Sequence, residues 1–554
     1  MKLSDRSKVI LLSIISISSL LRIIWIDKYP QSLYTDEIDQ GYNAYSIMLT
    51  GSDEHGAYLP ISIRSFGDWK PPLPTYLTIP FIYLFGLTET SIRLPSAILG
   101  IATVMLTFYL ILELFAECKY KVKFALLGSF FLTISPWHIL QSRASMLVAI
   151  ALFFLEAGIY YFLRGLKKGK YLILSALLFS LSIYAYYGLR VITPLIIFLL
   201  IIIFLKNILK FKKEIIISIL LIIFMMVPII VNFIKEPDVV FGRARTVSIF
   251  YDQGVKLRQW ELITQDGMEY NPLLSRFFHN NVYMYGLSIL RHFMSHLEGN
   301  YLFFIGDTSS PFQIPNMGIL YLIDSVFILF GISFFMEKRS QSRILLISWF
   351  IISLIPASLT FMTPSSNRTF NAIIPIIALI SLGTVRLLSF KTNKYLLGSI
   401  VTLLYVVSFG YFLKQYFIVL PYEHADWWNY GWRETVKYVA SNEKRFDNII
   451  ISDVNGMPYI YFLFYNKIDP LLFQKTAVRT YLSDRFGFEH VESFGKYIFA
   501  KDLDWQYTKD NMLPKTLYII PASQVGSQDK GPNSISYPNG KDVIKFFEND
   551  KETL

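Results

Sequence analysis

Only one of the 554 residues is cysteine, Cys118, which excludes an intramolecular disulfide and leaves no thiol cluster for a metal. Charge is also scarce: Asp, Glu, Lys and Arg make up 17% of the chain, against 53% hydrophobic residues. A water-soluble domain of this length could not hide so much apolar surface, so lipid is the solvent for much of it. The net charge of +11 would suggest nucleic acid if it formed a patch, but it is spread among short loops between apolar runs. Behind Lys2, Arg6 and Lys8 comes the apolar run from Val9 to Ile26, which lacks the small-x-small cleavage site of a signal peptide. Ile23, Ile24, Trp25 and Ile26 stand there instead, so the run reads as an uncleaved first span.

A helix needs about 20 residues to cross a hydrocarbon core of roughly 30 Å. About eleven segments qualify: 9–26, 90–115, 122–138, 146–163, 170–186, 190–205, 214–234, 317–335, 343–361, 371–388 and 395–417. Alternate loops carry the basic residues: Lys119, Lys121 and Lys123; Arg164, Lys167, Lys168 and Lys170; Lys206, Lys210, Lys212 and Lys213; Lys338, Arg339 and Arg343; Lys391 and Lys394. By the positive-inside rule these loops and the N-terminus face the cytoplasm. Residues 27–89, 235–316 and everything after 417 then lie outside, in a multi-pass protein expected in the cell membrane.

The run Leu73–Phe85 is too short to cross and is interrupted by Pro74 and Pro80, so it reads as an interfacial helix on the outer side. A second such helix is expected from Asp36 to Met48, ended by Gly51. The expected fold is therefore mainly α. A polytopic membrane domain over 1–420 has about eleven transmembrane helices and outer interfacial helices, and a small α/β domain follows over 421–554.

The first outer loop holds Thr35-Asp36-Glu37-Ile38-Asp39, then Asp68-Trp69-Lys70-Pro71-Pro72-Leu73, then Arg93-Leu94-Pro95-Ser96 at the start of the second span. Carboxylates after Thr35 would favour a helix start through capping and the dipole, but caps rarely need two or three acids. Lys70, fixed before two prolines, delivers a cation to head-group level; the competing explanation is snorkelling to lipid phosphates. In this order and topology, over roughly the first four hundred residues, the motifs resemble the C-type glycosyltransferase superfamily. The resemblance is to its family of dolichyl-phosphate-mannose-protein mannosyltransferases and lipid A aminoarabinose transferases.

That resemblance implies transfer of a hexosyl or pentosyl unit from a polyprenyl-phosphate carrier to a protein, lipid or glycan acceptor at the outer face. Asp36 would be the general base or acceptor-orienting group, and Glu37 would support it or help hold a divalent cation. No other cofactor is implied. The chemistry agrees: a sugar on a lipid phosphate already has a good leaving group, so the site must neutralise phosphate charge and deprotonate a hydroxyl. Lys70 is the leading phosphate cation. His138 and Arg143 in the turn 135–143, Arg190 after Tyr184, Tyr186 and Tyr187, and Arg368 in Ser365-Ser366-Asn367-Arg368 are further candidates for the donor phosphate. For each, anchoring at lipid head groups is the competing role. Ala144, Ser145 and Met146 follow Arg143 where the family often has a second acid, which argues against a two-acid metal site.

In the long outer loop, Leu273–Leu297 reads as a surface helix, and Arg243 and Arg245 open that loop. The C-terminal region reads as helix 433–440, strand 448–452, helix 458–465 and strand 516–520, with no Gly-rich phosphate loop or nucleophile motif. Its role is either structural or acceptor binding through exposed tryptophans near 427–432. A transporter or flippase would instead place ionisable residues at midplane, where only Glu156 and Asp324 stand out. A polysaccharide ligase or polymerase would rely on outer-loop arginines more than on an early acidic pair.

Overall fold

The computed structural model describes all residues except 1–2, 268–271, 309–310, 338–339, 391–392, 454–456, 483, 485–486, 502, 527, 530 and 551–554. Lys338, Arg339 and Lys391 of the basic loops lie outside the described residues. Contacts divide the chain into two compact units. One consists of Met1–Ile24, Ser96–Ser142 and Met146–Leu413; the other of Trp25–Pro95, Arg143–Ser145 and Lys414–Leu554.

The first unit is helical: long apolar runs satisfy their backbone groups within one segment, and helices such as Leu189–Ile208, Lys212–Lys235 and Gln341–Ser358 carry an internal proline without ending at it. A helix stands at each of the eleven expected positions, from α1 (Asp5–Ile23) to Lys394–Lys414. Among the described residues, seven helices are long and apolar enough to cross a membrane: Glu89–Leu114, Leu147–Gly165, Leu189–Ile208, Lys212–Lys235, Gln341–Ser358, Phe370–Leu387 and Lys394–Glu423. The protein is thus a multi-pass membrane protein. The expected span 122–138 is broken: Lys121–Ile134 and Pro136–Arg143 meet at 59°. Pro136 disfavours helical geometry at Ser135, whose ψ of 123° is extended. Lys170–Ala185 and Leu322–Phe335 are shorter apolar helices. The expected surface helix 273–297 is likewise two helices, Pro272–Phe278 and Asn281–Ser295. Asn280 starts the second by accepting from Tyr283 N at 2.9 Å.

The second unit begins with Trp25–Pro95. After α2 (Thr35–Thr50) come a hairpin of β1 (Ile63–Ser65) and β2 (Asp68–Lys70), then α3 (Leu73–Phe85) and the start of α4 (Glu89–Leu114). Both helices thus form where the sequence places them, and Gly51 ends α2 with φ +74°. The exposed apolar tail of α3, Tyr83, Leu84 and Phe85, suits an interfacial helix.

The C-terminal part of this unit is a seven-stranded mixed sheet in the order β4-β5-β6-β3-β7-β9-β8. Its strands are β3 (Asn448–Ser452), β4 (Val478–Thr480), β5 (His490–Phe494), β6 (Tyr497–Ala500), β7 (Thr516–Pro521), β8 (Asn533–Ser536) and β9 (Asp542–Asn549). The central strand β3 runs parallel to β6 and β7, and the remaining pairs are antiparallel. Helices Trp432–Asn442 and Tyr459–Tyr465 match the two expected from sequence. Residues 459–464 of the latter are buried in one core with Leu33, Ile38 and Tyr42 and with sheet residues such as Ile449 and Leu517. Gly41 permits the close approach, because a Cβ there would meet Ile92 Cδ1 at 2.4 Å and Phe464 at 3.1 Å. Trp428 and Trp432 are core residues, 0% and 5% exposed, which overturns their expected role as an exposed acceptor surface. Trp432 stacks on Tyr461 at 5.7 Å instead.

Candidate active site

Asp36, Glu37 and Asp39 all lie in the first turns of α2, where the helix dipole favours carboxylates. The helical repeat sorts them. Asp36 and Asp39, three apart, share a face, while Glu37 turns toward the protein. On their face the Lys70 ammonium lies 2.7 Å from Asp36 Oδ1 and 2.9 Å from Asp39 Oδ2. The Asp36 side chain is 56% exposed, Lys70 13% and Asp39 1%. The site is graded, with an open carboxylate above, an ammonium in the middle and a buried carboxylate beneath.

Local chemistry holds Lys70 in that position. Phe66 and Gly67, with φ of +53° and +86°, make the tight two-residue turn between β1 and β2. Lys70 ends β2 opposite Ile63, and Pro71-Pro72 then lead directly into α3. The ring of Phe66 lies beneath the ammonium, 5.1 Å from its centroid. Burial would lower the Lys70 pKa, but Asp36 and Asp39 together raise it above the ordinary lysine value, so the ammonium stays charged. Asp39 is pushed up to about 6, by burial first, against the pull of Lys70. The Glu54 carboxylate nearby adds to the effect of burial. Asn43 Nδ2 also donates to Asp39 Oδ1 at 3.0 Å.

Glu37 is fully saturated. Its Oε1 accepts from Arg93 Nε at 2.9 Å and Ser145 N at 2.8 Å; its Oε2 accepts from Arg93 Nη2 at 3.1 Å and Tyr34 N at 3.0 Å. Both side chains are 0% exposed. Arg93 Nη1 also donates to the carbonyls of Ile26 and Pro30, at 2.9 and 2.8 Å, and its Nη2 to Ser32. The pair therefore fixes the approach of the chain into α2. Gln40 extends the network, donating to Thr78 and Ser145 at 3.0 Å each.

A divalent cation does not fit this donor set. The ammonium already stands between the two aspartates, every Glu37 oxygen holds two donors, and among the described residues no group of three His, Cys, Asp or Glu side chains suits a metal.

Of the basic candidates, Arg143 belongs to the same unit as Asp36 and Lys70. It donates to the carbonyls of Trp25 and Tyr29, at 3.1 and 3.0 Å, and lies over Tyr416 and Phe417. His138, Arg190 and Arg368 belong to the other unit. His138 is buried, with Nδ1 2.7 Å from Arg22 Nη2. Arg190 donates to Val239 O at 3.1 Å, and Arg368 to Thr360 Oγ1 and Met362 O at 2.7 and 2.8 Å.

Sequence reasoning quoted Asp39 and Arg93 within motifs but gave neither a role. For Asp39 the signal was its spacing of three from Asp36. For Arg93 it was a guanidinium opening an apolar helix, where only a buried acid could balance it.

Residues 13–236 match the family model of dolichyl-phosphate-mannose-protein mannosyltransferases. The Bacillus subtilis (strain 168) protein YkcB, which bears a mannosyltransferase name, is 24% identical over 177 residues; the match covers 32% of this chain and 23% of that protein. In fold, ArnT from Cupriavidus metallidurans in the apo state aligns over 98% of both chains with TM-score 0.55 and 11% identity. Its complex with undecaprenyl phosphate aligns over 97% of both with TM-score 0.53 and the same identity. The archaeal oligosaccharyltransferase AglB from Archaeoglobus fulgidus aligns over 83% of this chain and 64% of that one, with TM-score 0.50 and 13% identity. The chain thus resembles the dolichyl-phosphate-mannose-protein mannosyltransferase and lipid A aminoarabinose transferase family of the C-type glycosyltransferases, in sequence over residues 13–236 and in fold over nearly its whole length.

Proposed function

We propose that this protein is a membrane glycosyltransferase that moves a sugar from a polyprenyl-phosphate carrier to an acceptor hydroxyl at the outer face. The observation that carries the reading is the Lys70 ammonium held between exposed Asp36 and buried Asp39. An ammonium has three protons, of which these ion pairs use two. The third is available to a phosphate oxygen of the carrier. Asp36 takes the proton of the acceptor hydroxyl, the new glycosidic bond forms, and the bond from the sugar to the phosphate oxygen breaks. The carrier phosphate leaves with that electron pair, and Lys70 balances its added charge. Asp39 is a positioning residue that keeps the ammonium in place, and Glu37 and Arg93 position the helix that bears Asp36.

The N-terminus faces the cytoplasm in this reading, and residues 27–89 and 421–554 face outward, in the cell membrane. Two observations support that arrangement: basic residues line the alternate loops, and those two segments fold within one compact unit. Arg143 stands in the same unit as a second cation for the donor, while the partners of His138, Arg190 and Arg368 favour structural roles.

Purified protein incubated with defined polyprenyl-phosphate sugars tests the reading. Wild type should release or transfer the glycosyl group, and Asp36→Asn should not while still binding the carrier. Transport of a solute by a wild type that turns over no such donor would sink it.

A further inference from the structure

The hairpin that bears Lys70 is too small to hold its own shape. It has three residues per strand, paired Ile63 to Lys70, Arg64 to Trp69 and Ser65 to Asp68, and an isolated two-stranded hairpin is marginal in water. Its bracing comes from the C-terminal sheet of the same unit. Glu489, the residue before β5, grips it twice: its N–H donates to Phe66 O at 3.2 Å, and its Oε1 pairs with Arg64 Nη2 at 2.5 Å. The Arg64 guanidinium in turn lies over Trp69 and Tyr481, 5.7 and 5.1 Å from the ring centroids.

The pleat decides what this grip does. Cross-strand partners share a face and successive residues alternate, so Arg64 and Trp69 project to one side of the ribbon and Ile63 and Lys70 to the other. Glu489 therefore holds the hairpin by the face turned away from the ammonium. The Asp39 side is braced through the same part of the fold. Asn43, which donates to Asp39, accepts from Glu54 N at 3.0 Å, and Glu54 Oε1 accepts from Tyr459 Oη at 3.0 Å. Tyr459 also packs edge-on at 6.0 Å against Phe66, the ring beneath the Lys70 ammonium. A lysine has a flexible four-carbon stem, so the place of its charge is only as well defined as the backbone that anchors it.

We infer that Glu489 is a positioning residue for Lys70: its ion pair with Arg64 seats the hairpin, and so sets the reach of the ammonium toward Asp36, Asp39 and the carrier phosphate. Its part in transfer rests on the reaction proposed above, whereas the seating of the ammonium does not. The C-terminal sheet is then a working part of the donor site.

Acetylation by an N-hydroxysuccinimide ester, followed residue by residue with mass spectrometry on the full chain in detergent, reads this seat without donor or turnover. Only the neutral amine reacts, so an ammonium held between two carboxylates is protected. Glu489→Ala and Arg64→Met should each speed acetylation of Lys70 by about tenfold, the equivalent of one pKa unit. Exposed Lys437, Lys467 and Lys541 of the same unit should react as before, at an unchanged unfolding midpoint. The exchange Arg64→Glu with Glu489→Arg should restore protection. Tyr481→Leu, which takes one ring from the guanidinium, should give a smaller rise of about threefold and serves if the other variants do not fold. With a polyprenyl-phosphate sugar, Glu489→Ala should weaken carrier binding by about tenfold and leave acceptor KM unchanged. The positioning role is overturned if Lys70 stays protected in the variants that fold, or if the exchange restores nothing. It is equally overturned if all lysines speed up together as the midpoint falls, or if Lys70 is freed while carrier binding is unchanged. Protection that depends on Glu489, in a protein that turns over no donor, would uphold the seat and sink the transferase reading.

Discussion

Asp36 and Glu37 are neighbours in sequence and opposites in structure. Glu37 is sealed in with Arg93, with four donors on two oxygens and no exposure. Asp36 faces outward and shares a single ammonium with a third carboxylate. The same side-chain chemistry is saturated in one case and left half open in the other. What separates them is how many of the carboxylate's lone pairs the protein itself has filled.

The strongest way to break this contrast is at Asp36. Asp36→Asn should lower kcat/KM by about 10²- to 10⁴-fold, the usual worth of a general base, with no change in unfolding midpoint. A Glu37→Gln variant that lost as much activity at unchanged stability would erase the distinction. Arg93→Met should do the reverse, stranding a buried carboxylate and costing about 3–5 kcal/mol of stability, read by thermal or denaturant unfolding in detergent. In the proposed reaction Lys70→Gln would remove a charge-assisted hydrogen bond to the carrier phosphate, worth about 1.5–3 kcal/mol, and should weaken carrier binding by about ten- to a hundredfold.

A smaller effect sharpens the position of Asp39. Its carboxyl titrates near 6 in the folded protein against 3.8 ordinarily, so the folded state takes up a proton between about pH 7 and 5 that the unfolded chain does not. This contribution to stability therefore grows as pH falls through about 6 and is lost as pH rises through it. Asp39→Asn should flatten the dependence of the unfolding midpoint over that interval. The smallest expected effect is that of a chelator, which should leave transfer unchanged because Lys70 occupies the place of a cation.

Much of the fold was legible because lipid imposes long uninterrupted apolar runs, and these stand out in one dimension. Both outer helices and strand 448–452 were legible for similar local reasons: a Pro-Pro start, a glycine stop, and an isoleucine run. The short strands β4, β5, β6 and β8 and the longer β9 were not, since their pairing depends on distant partners and their alternation is weak. The turn read over 135–143 does hold the break at Pro136, but the expected span ran on to 138 and the turn itself is a short helix, Pro136–Arg143, which proline at its first position starts. At the candidate site, the acids and Lys70 were visible as motifs. Which acid is saturated and which is open depends on Arg93, fifty-six residues further on, and only folding brings that guanidinium to Glu37. The buried tryptophans at 428 and 432 were misread for a related reason, since a polar neighbourhood in sequence hid an apolar one in space.

The two-residue turn at Phe66-Gly67 has a geometric consequence. Side chains on a strand alternate faces, so a single inserted residue in β2 would swing Lys70 to the opposite side of the ribbon and away from both aspartates. Gly67 cannot readily gain a side chain, because a Cβ would press within 3.0 Å of Glu489. The hairpin's length is therefore a ruler that sets how far the Lys70 ammonium reaches toward the two aspartates.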